Sequence, residues 1–216
     1  MMCNPNSAHS DTWYSSLVAR LYDPVTSGAE ESFFKECRRQ LLSDLSGHVL
    51  EVGAGTGANF GHYPAEAKVL AIEPSDAMVE QAEKKLLDSA VQADILLVRA
   101  GIGDKMVASR VPAGGFDAIV FTLVLCTIPD PARAIERVKS WLAPAGRLLV
   151  LEHIADDRPT VRRIEQLVNP VWKKLAEGCH LTRQTDQLLK EAGFQPAWEK
   201  YFHRGLLFYQ AEMKGS

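Results

Sequence analysis

The sequence predicts an α/β fold: a Rossmann-like, doubly wound, mostly parallel sheet with an N-terminal helical cap and a C-terminal antiparallel edge hairpin. Three observations predict it. Short apolar runs (HVLEV at 48–52, KVLAI at 68–72, DILLVRA at 94–100, FDAIVFTLVL at 116–125, RLLVLEHI at 147–154) alternate with stretches of helical periodicity. The run at 116–125 is continuously apolar, as strands covered on both faces are. Glycines at 53, 55 and 57 follow the first run directly, where such a sheet binds ligands.

Residues 1–12 read as a loose tail. From Trp13 to Leu45 the pattern is helical (WYSSLVARLYDPV, then ESFFKECRRQLLSDL, parted by Pro24 and Gly28), so 1–45 form tail and cap and 46–216 the main domain. The glycine triplet leads into a helix-like stretch, and Ser75 or Asp76 caps a helix through AMVEQAEKKLLDSA. Gly114 and Gly115 turn the chain into the fourth strand. Asp130 is an N-cap with Pro131 at N1, opening ARAIERVKSWLA, which Pro144 and Gly146 end. The segment 155–181 reads as a helical insertion over the carboxyl edge of the sheet, and a helix spans about 182–191. Beyond a turn at Gly193, AWEKYF and LLFYQAEM pair as the edge hairpin.

The 216 residues suit one domain with a terminal embellishment, and 46% hydrophobic residues suffice for a sizeable core. A net charge of −3 gives no electrostatic help in binding phosphate backbones, so nucleic acid is not an expected partner. The four cysteines, Cys3, Cys37, Cys126 and Cys179, form no CxxC pair and show no metal-ligand spacing; they read as reduced thiols with no metal. No apolar run reaches the roughly 18 residues of a membrane helix, and the polar first dozen residues lack signal-peptide character. The expected compartment is the cytoplasm.

LEVGAGTGANF (50–60) is the strongest motif. Glycine permits a tight turn and close approach of a ligand to backbone N–H groups. Glu51 precedes the first glycine by two residues, and Glu73 closes the second strand about twenty residues on, where an acid reaches ribose hydroxyls. The loop reads G-x-G-x-G and not the G-x-G-x-x-G of nicotinamide-binding folds. This pattern resembles class I methyltransferases dependent on S-adenosylmethionine (SAM), over about residues 48–154. The resemblance implies that Gly53, Gly55 and Gly57 line the methionine and ribose portion, and that Glu73, followed by Pro74, takes the ribose hydroxyls. It implies that Glu51 lies near the methionine amino group and that Gly101 and Ile102 flank adenine. Many relatives carry an acid where this chain has Gly101, so the grip on the adenine amino group falls to the Ile102 backbone or to Asp104. Thr122 and Leu123 bring a backbone carbonyl to the methionine amino group. Relatives of the quinone type fold an N-terminal cap over SAM, which implies a closing role for Tyr14 and Tyr22; ordinary aromatic packing is the alternative.

The second half of the chain is similar to the methyltransferase-like alkyl-thiol S-methyltransferase family, through TLVLC (122–126), EH (152–153), P-x-WK (170–173), GC (178–179) and LTR-x-T (181–185). The mammalian members carry an apolar N-terminal anchoring segment that these residues do not show, so membrane attachment is not expected. The resemblance implies a small-molecule thiol as acceptor. A thiolate is the nucleophile, and a free thiol is mostly protonated at neutral pH, so a base or positive charge beside it helps. His153 is the first candidate base, with a structural hydrogen bond to Glu152 as the competing reading. His180 and Arg183 follow, the arginine favouring a thiolate or closing a helix-start salt bridge. Tyr14, Glu152 and Trp172 are candidate pocket residues; Cys126 reads mainly as packing, and Cys179 as pocket wall or filler. Methylation of a quinone precursor or a phospholipid headgroup is the main alternative, with VRRIEQLVNPVWKKL as a weak membrane-facing candidate. A non-catalytic SAM-binding module is the alternative of another class. Monomer and homodimer are both compatible with the sequence.

Overall fold

The computed structural model describes residues 29–176 and 178–215. Tyr14, Tyr22 and the first half of the expected cap lie outside the described residues. In chain order the elements are α1 (Ala29–Leu42), β1 (Gly47–Val52), a 3₁₀ turn (Phe60–His62), β2 (Ala67–Glu73), α2 (Asp76–Lys85), β3 (Asp94–Arg99), α3 (Lys105–Ala108), β4 (Phe116–Thr122), α4 (Pro131–Trp141), β5 (Leu142–Ile154), α5 (Pro159–Leu175), α6 (Thr185–Glu191), β6 (Gln195–Arg204) and β7 (Leu206–Lys214). The seven strands form one sheet in the order β3-β2-β1-β4-β5-β7-β6. The first five are parallel, and the β6–β7 hairpin continues the sheet antiparallel from β5, as the sequence predicts.

Residues alternate across each strand, so both faces need cover. Leu50, Val52, Ile119, Phe121, Leu148 and Val150 face one core with Ile135 and Val138 of α4 and Leu189 of α6. Val49, Ala71, Ala118, Val120, Leu149 and Leu151 face the other, against Cys37, Leu41 and Leu42 of α1. This two-sided cover explains the uninterrupted apolar strand runs. Strand order reverses between β1 and β4, which places the crevice of the fold at their carboxyl ends.

Local departures from the expected elements have physical causes. The glycine loop opens a turn and a short 3₁₀ segment, not an α-helix, because Gly57 turns with φ +82° and Pro64 follows within a few residues. Helix α2 stops at Lys85, where Asp88 gathers the N–H groups of Ala90 and Val91 into a turn. Strand β4 ends at Thr122, since Leu123 adopts φ +56° and leaves the sheet plane. Pro144 and Gly146 lie within β5 instead of preceding it; the ladder shifts register between Phe116 and Ala118, which accommodates them as a bulge. Helix α6 begins at Thr185, three residues later than the sequence pattern suggests.

Asp130 caps α4 by accepting from the Arg133 N–H at 3.0 Å. Asp130→Ala should lower stability by about 1 kcal/mol. Phe121→Ala, which empties a fully buried site, should cost about 3–5 kcal/mol in the same urea titration. Equal losses would contradict this division between cap and core.

Candidate functional site

Gly53 turns at φ +71°, and a Cβ there would sit 2.2 Å from the Val124 side chain; the loop after β1 thus lies directly on the exit of β4. Gly57 is closed in the same way by the Phe60 ring at 2.8 Å. Gly55 differs. At φ +56° its missing Cβ would meet no described residue within 4 Å, so it faces a cradle that a ligand can enter.

Glu73 clips this loop to the end of β2. One carboxylate oxygen accepts from the Gly55 N–H and the other from the Ser75 N–H, each at 3.0 Å. Glu51 is buried beneath the loop and accepts from the Asn59 amide at 2.9 Å and the Tyr63 hydroxyl at 3.0 Å. The Asn59 amide also reaches the Thr122 hydroxyl at 3.2 Å, joining the glycine loop to β4. Burial pushes Glu51 up to about 7, against the pull of the Tyr63 and Asn59 hydrogen bonds and the charge of Arg38, while the charge of Glu73 adds to the rise. Asn59 and Tyr63 carry no motif of their own in the sequence; their link to Glu51 exists only in the fold.

At the adjacent strand end, the Gly101 N–H donates to the Asp104 carboxylate at 2.7 Å. A Cβ on Gly101 would lie 3.8 Å from that same oxygen, so Asp104 occupies the neighbourhood an acid at 101 would reach. The Ile102 carbonyl accepts from Arg137 at 2.8 Å. Leu123, among the described non-glycine residues, alone has a left-handed φ, and it stands at the β4 exit.

The described residues among the predicted catalytic and pocket set gather on the other side of β4. Glu152 is fully buried and accepts from the Val124 and Leu125 N–H groups at 2.7 and 2.8 Å; it shapes the loop after β4. His153 Nε2 faces Cys179 Sγ at 2.7 Å, and the Trp172 indole donates to the same sulfur at 3.3 Å. Cys126 joins them, so the ligand atoms of Cys126, His153 and Cys179 all lie within 4.8 Å of one another, buried. The Cys126 hydrogen bond, with help from His153 and against burial, holds the Cys179 thiol far below its usual range, and Cys126 itself is pushed up. His153 thus faces Cys179, and Cys126 lies beside both. His180 enters by its backbone, donating to the Cys126 carbonyl at 3.0 Å. Among the described residues Arg183 makes no helix-start salt bridge; its guanidinium donates to the Leu125 and Ile128 carbonyls and braces the loop. Helix α5 covers this region: Glu165 accepts from the Asp156 N–H at 3.0 Å, and Asn169 from the Leu181 N–H at 2.9 Å.

A glycine cradle at the topological switch point, with an acid after the second strand, defines an α/β enzyme that binds a nucleoside cofactor. Residues 28–197 match the family model for a methyltransferase domain. The chain belongs to that family, as a class I SAM-dependent methyltransferase with SAM as its cofactor. It is 30% identical over 187 residues to the thiol S-methyltransferase TMT1B of Rattus norvegicus, a match covering 83% of this chain and 72% of that protein. It is 27% identical over 160 residues to the demethylmenaquinone methyltransferase of Lactiplantibacillus plantarum, covering 71% of this chain and 62% of that protein. The solved DhpI–SAH complex superposes with a TM-score of 0.61 at 19% identity, covering 94% of each chain, and shares the fold.

The raised Glu51 has a pH consequence. Between its ordinary value near 4.5 and about 7, the folded state keeps a proton that the unfolded chain has released. Its contribution to stability therefore falls as pH rises through that window and is level above it. Glu51→Gln keeps an acceptor for Tyr63 or Asn59 and removes the titration. Its urea midpoint should vary less steeply over that pH range than that of the parent; an equal slope would contradict the assignment.

Proposed function

We propose that this chain transfers the methyl group of SAM to the sulfur of a small-molecule thiol. The observation that carries this reading is a buried cluster of two cysteine sulfurs and an imidazole at the β4 and β5 exits, beside the cofactor cradle. The similarity to a thiol S-methyltransferase over most of the chain supports it.

In this reading Gly53, Gly55 and Gly57 line the methionine and ribose part of SAM, and Glu73 accepts from both ribose hydroxyls, with Pro74 completing the turn. Glu51 acts on the methionine end through Asn59, and the carbonyl at Thr122–Leu123 faces the amino group. Gly101 and Ile102 flank adenine, and Asp104 takes its amino group in place of the missing acid. The acceptor sulfur approaches in line with the methyl group. It reacts as thiolate, its proton lost to solvent. A bond forms between that sulfur and the methyl carbon as the methyl–sulfonium bond breaks. The bonding pair stays on the departing sulfur, leaving a thioether and S-adenosylhomocysteine. His153 acts on the acceptor through Cys126 and Cys179, and Trp172 walls the pocket.

A second reading has its own support. Ile164, Leu167, Val168, Val171 and Trp172 form an exposed apolar row on α5, and a demethylmenaquinone methyltransferase is among the similar proteins. No helix among the described residues is long and apolar enough to cross a membrane. Such a row suits a lipophilic acceptor met at a bilayer surface.

Loss of two charge-assisted hydrogen bonds in Glu73→Ala should weaken SAM binding in calorimetry by about 100-fold or more, and Asp104→Ala by about tenfold. Unchanged affinity in Glu73→Ala would remove it from the cofactor site. S-adenosylhomocysteine release should appear with small alkyl thiols and not with demethylmenaquinol or amine acceptors. Turnover on the quinol alone would replace the thiol reading with the second one.

A further inference from the structure

The cofactor cradle makes no use of the most concentrated set of soft ligands among the described residues. Cys126 lies on the loop after β4, His153 in the last turnward residues of β5, and Cys179 on the loop after α5. Their ligand atoms converge within 4.8 Å, at 2%, 6% and 8% residue exposure. In a tetrahedral zinc site, bonds of about 2.3 Å to sulfur and 2.0 Å to nitrogen set ligand atoms roughly 3.5–3.8 Å apart. That spacing fits inside the observed span. His153 and Cys179, now at 2.7 Å, would part by about 0.8 Å to admit the ion. Two thiolates neutralise a divalent charge, and an imidazole completes the donor set that selects zinc over harder ions.

The surroundings are built to hold these ligands. Glu152 fixes Val124 and Leu125, just ahead of Cys126. The His180 N–H anchors the Cys126 carbonyl, and Arg183 braces the carbonyls on either side. The Trp172 indole N–H points at Cys179 Sγ, as outer-shell donors do at metal-bound sulfur. Among the described residues His153 Nδ1 is buried with no hydrogen-bond partner, and the ring's other nitrogen turns to the cluster.

We propose that Cys126, His153 and Cys179 form a three-ligand site for a zinc-class divalent ion. Resting on the thiol-acceptor reading above, we assign its fourth position to the acceptor sulfur. A protein site with three ligands keeps one position for an exogenous group, and a metal-bound thiol is deprotonated outright. The acceptor's proton then leaves as its sulfur joins the ion, and methyl transfer releases a neutral thioether that binds the ion weakly.

The test uses the full chain, expressed with zinc and purified under a phosphine reductant without chelator. Elemental analysis should find about one zinc per chain. Cys126→Ser and Cys179→Ser should each weaken zinc affinity by about 100-fold or more, with SAM calorimetry as the check that the variants fold. Trp172→Phe keeps the ring and removes the N–H; it should weaken zinc by about tenfold. The cobalt(II)-loaded protein should show thiolate-to-metal charge-transfer absorption and the intense visible bands of a tetrahedral ion, and ethanethiol should shift those bands. Absence of stoichiometric zinc and of the cobalt spectrum overturns the site, as does full zinc retention in folded Cys126→Ser and Cys179→Ser. A cobalt spectrum indifferent to ethanethiol overturns the assignment of the fourth position. Ethanethiol turnover then tells whether the thiol reading falls with it.

Discussion

The buried carboxylate of Glu152 sets the geometry on which both halves of the site depend. It lies fully inside the protein and receives the N–H groups of Val124 and Leu125. Those donors have just left β4, where the ladder no longer serves them. By gathering them, Glu152 stops the strand and lets Leu123 turn through a left-handed φ. The same turn brings Val124 into the space that a side chain at Gly53 would fill. Both N–H groups reach the same carboxyl oxygen, and burial pushes Glu152 up to about 7 against the pull of those hydrogen bonds.

From that exit the chain divides two tasks. Toward β1, the glycine loop is held by buried acids on two sides: Glu73 on the Gly55 N–H and Glu51 on Asn59 and Tyr63. Toward β5, Cys126 meets His153 and Cys179 under the cover of α5. The parallel sheet puts both at the same carboxyl edge, on either side of the β1/β4 switch. In the proposed reading this sets methyl donor and acceptor side by side, as transfer between atoms that must meet in line requires.

Arg183 illustrates how a residue can matter without touching the chemistry. Its guanidinium is spent on two backbone carbonyls of the β4–α4 loop. It therefore braces the loop that carries Cys126, and its charge also acts on the Cys126 thiol, opposing the rise that Cys179 and burial cause. The exposed apolar row of α5 meets this network at Trp172, whose indole donates to Cys179 Sγ, while Glu165 and Asn169 tie the helix to the Asp156 and Leu181 N–H groups.

Much of this was legible in the chain. Strand identities follow from apolar runs buried on two faces, and the cofactor class from three glycines and Glu73 at fixed spacing, because these are short-range patterns set by backbone geometry. Asp130 and Pro131 announce α4 for the same local reason. Element ends were less legible. The bulge that draws Pro144 into β5 and the turn at Leu123 answer to neighbouring strands and to Glu152, not to local propensity. The partners of Glu51, the bracing role of Arg183 and the meeting of Cys126, His153 and Cys179 were decided by tertiary structure alone. Those residues lie far apart in sequence, on elements that adjoin only once the sheet is assembled, so no spacing along the chain encodes their contact.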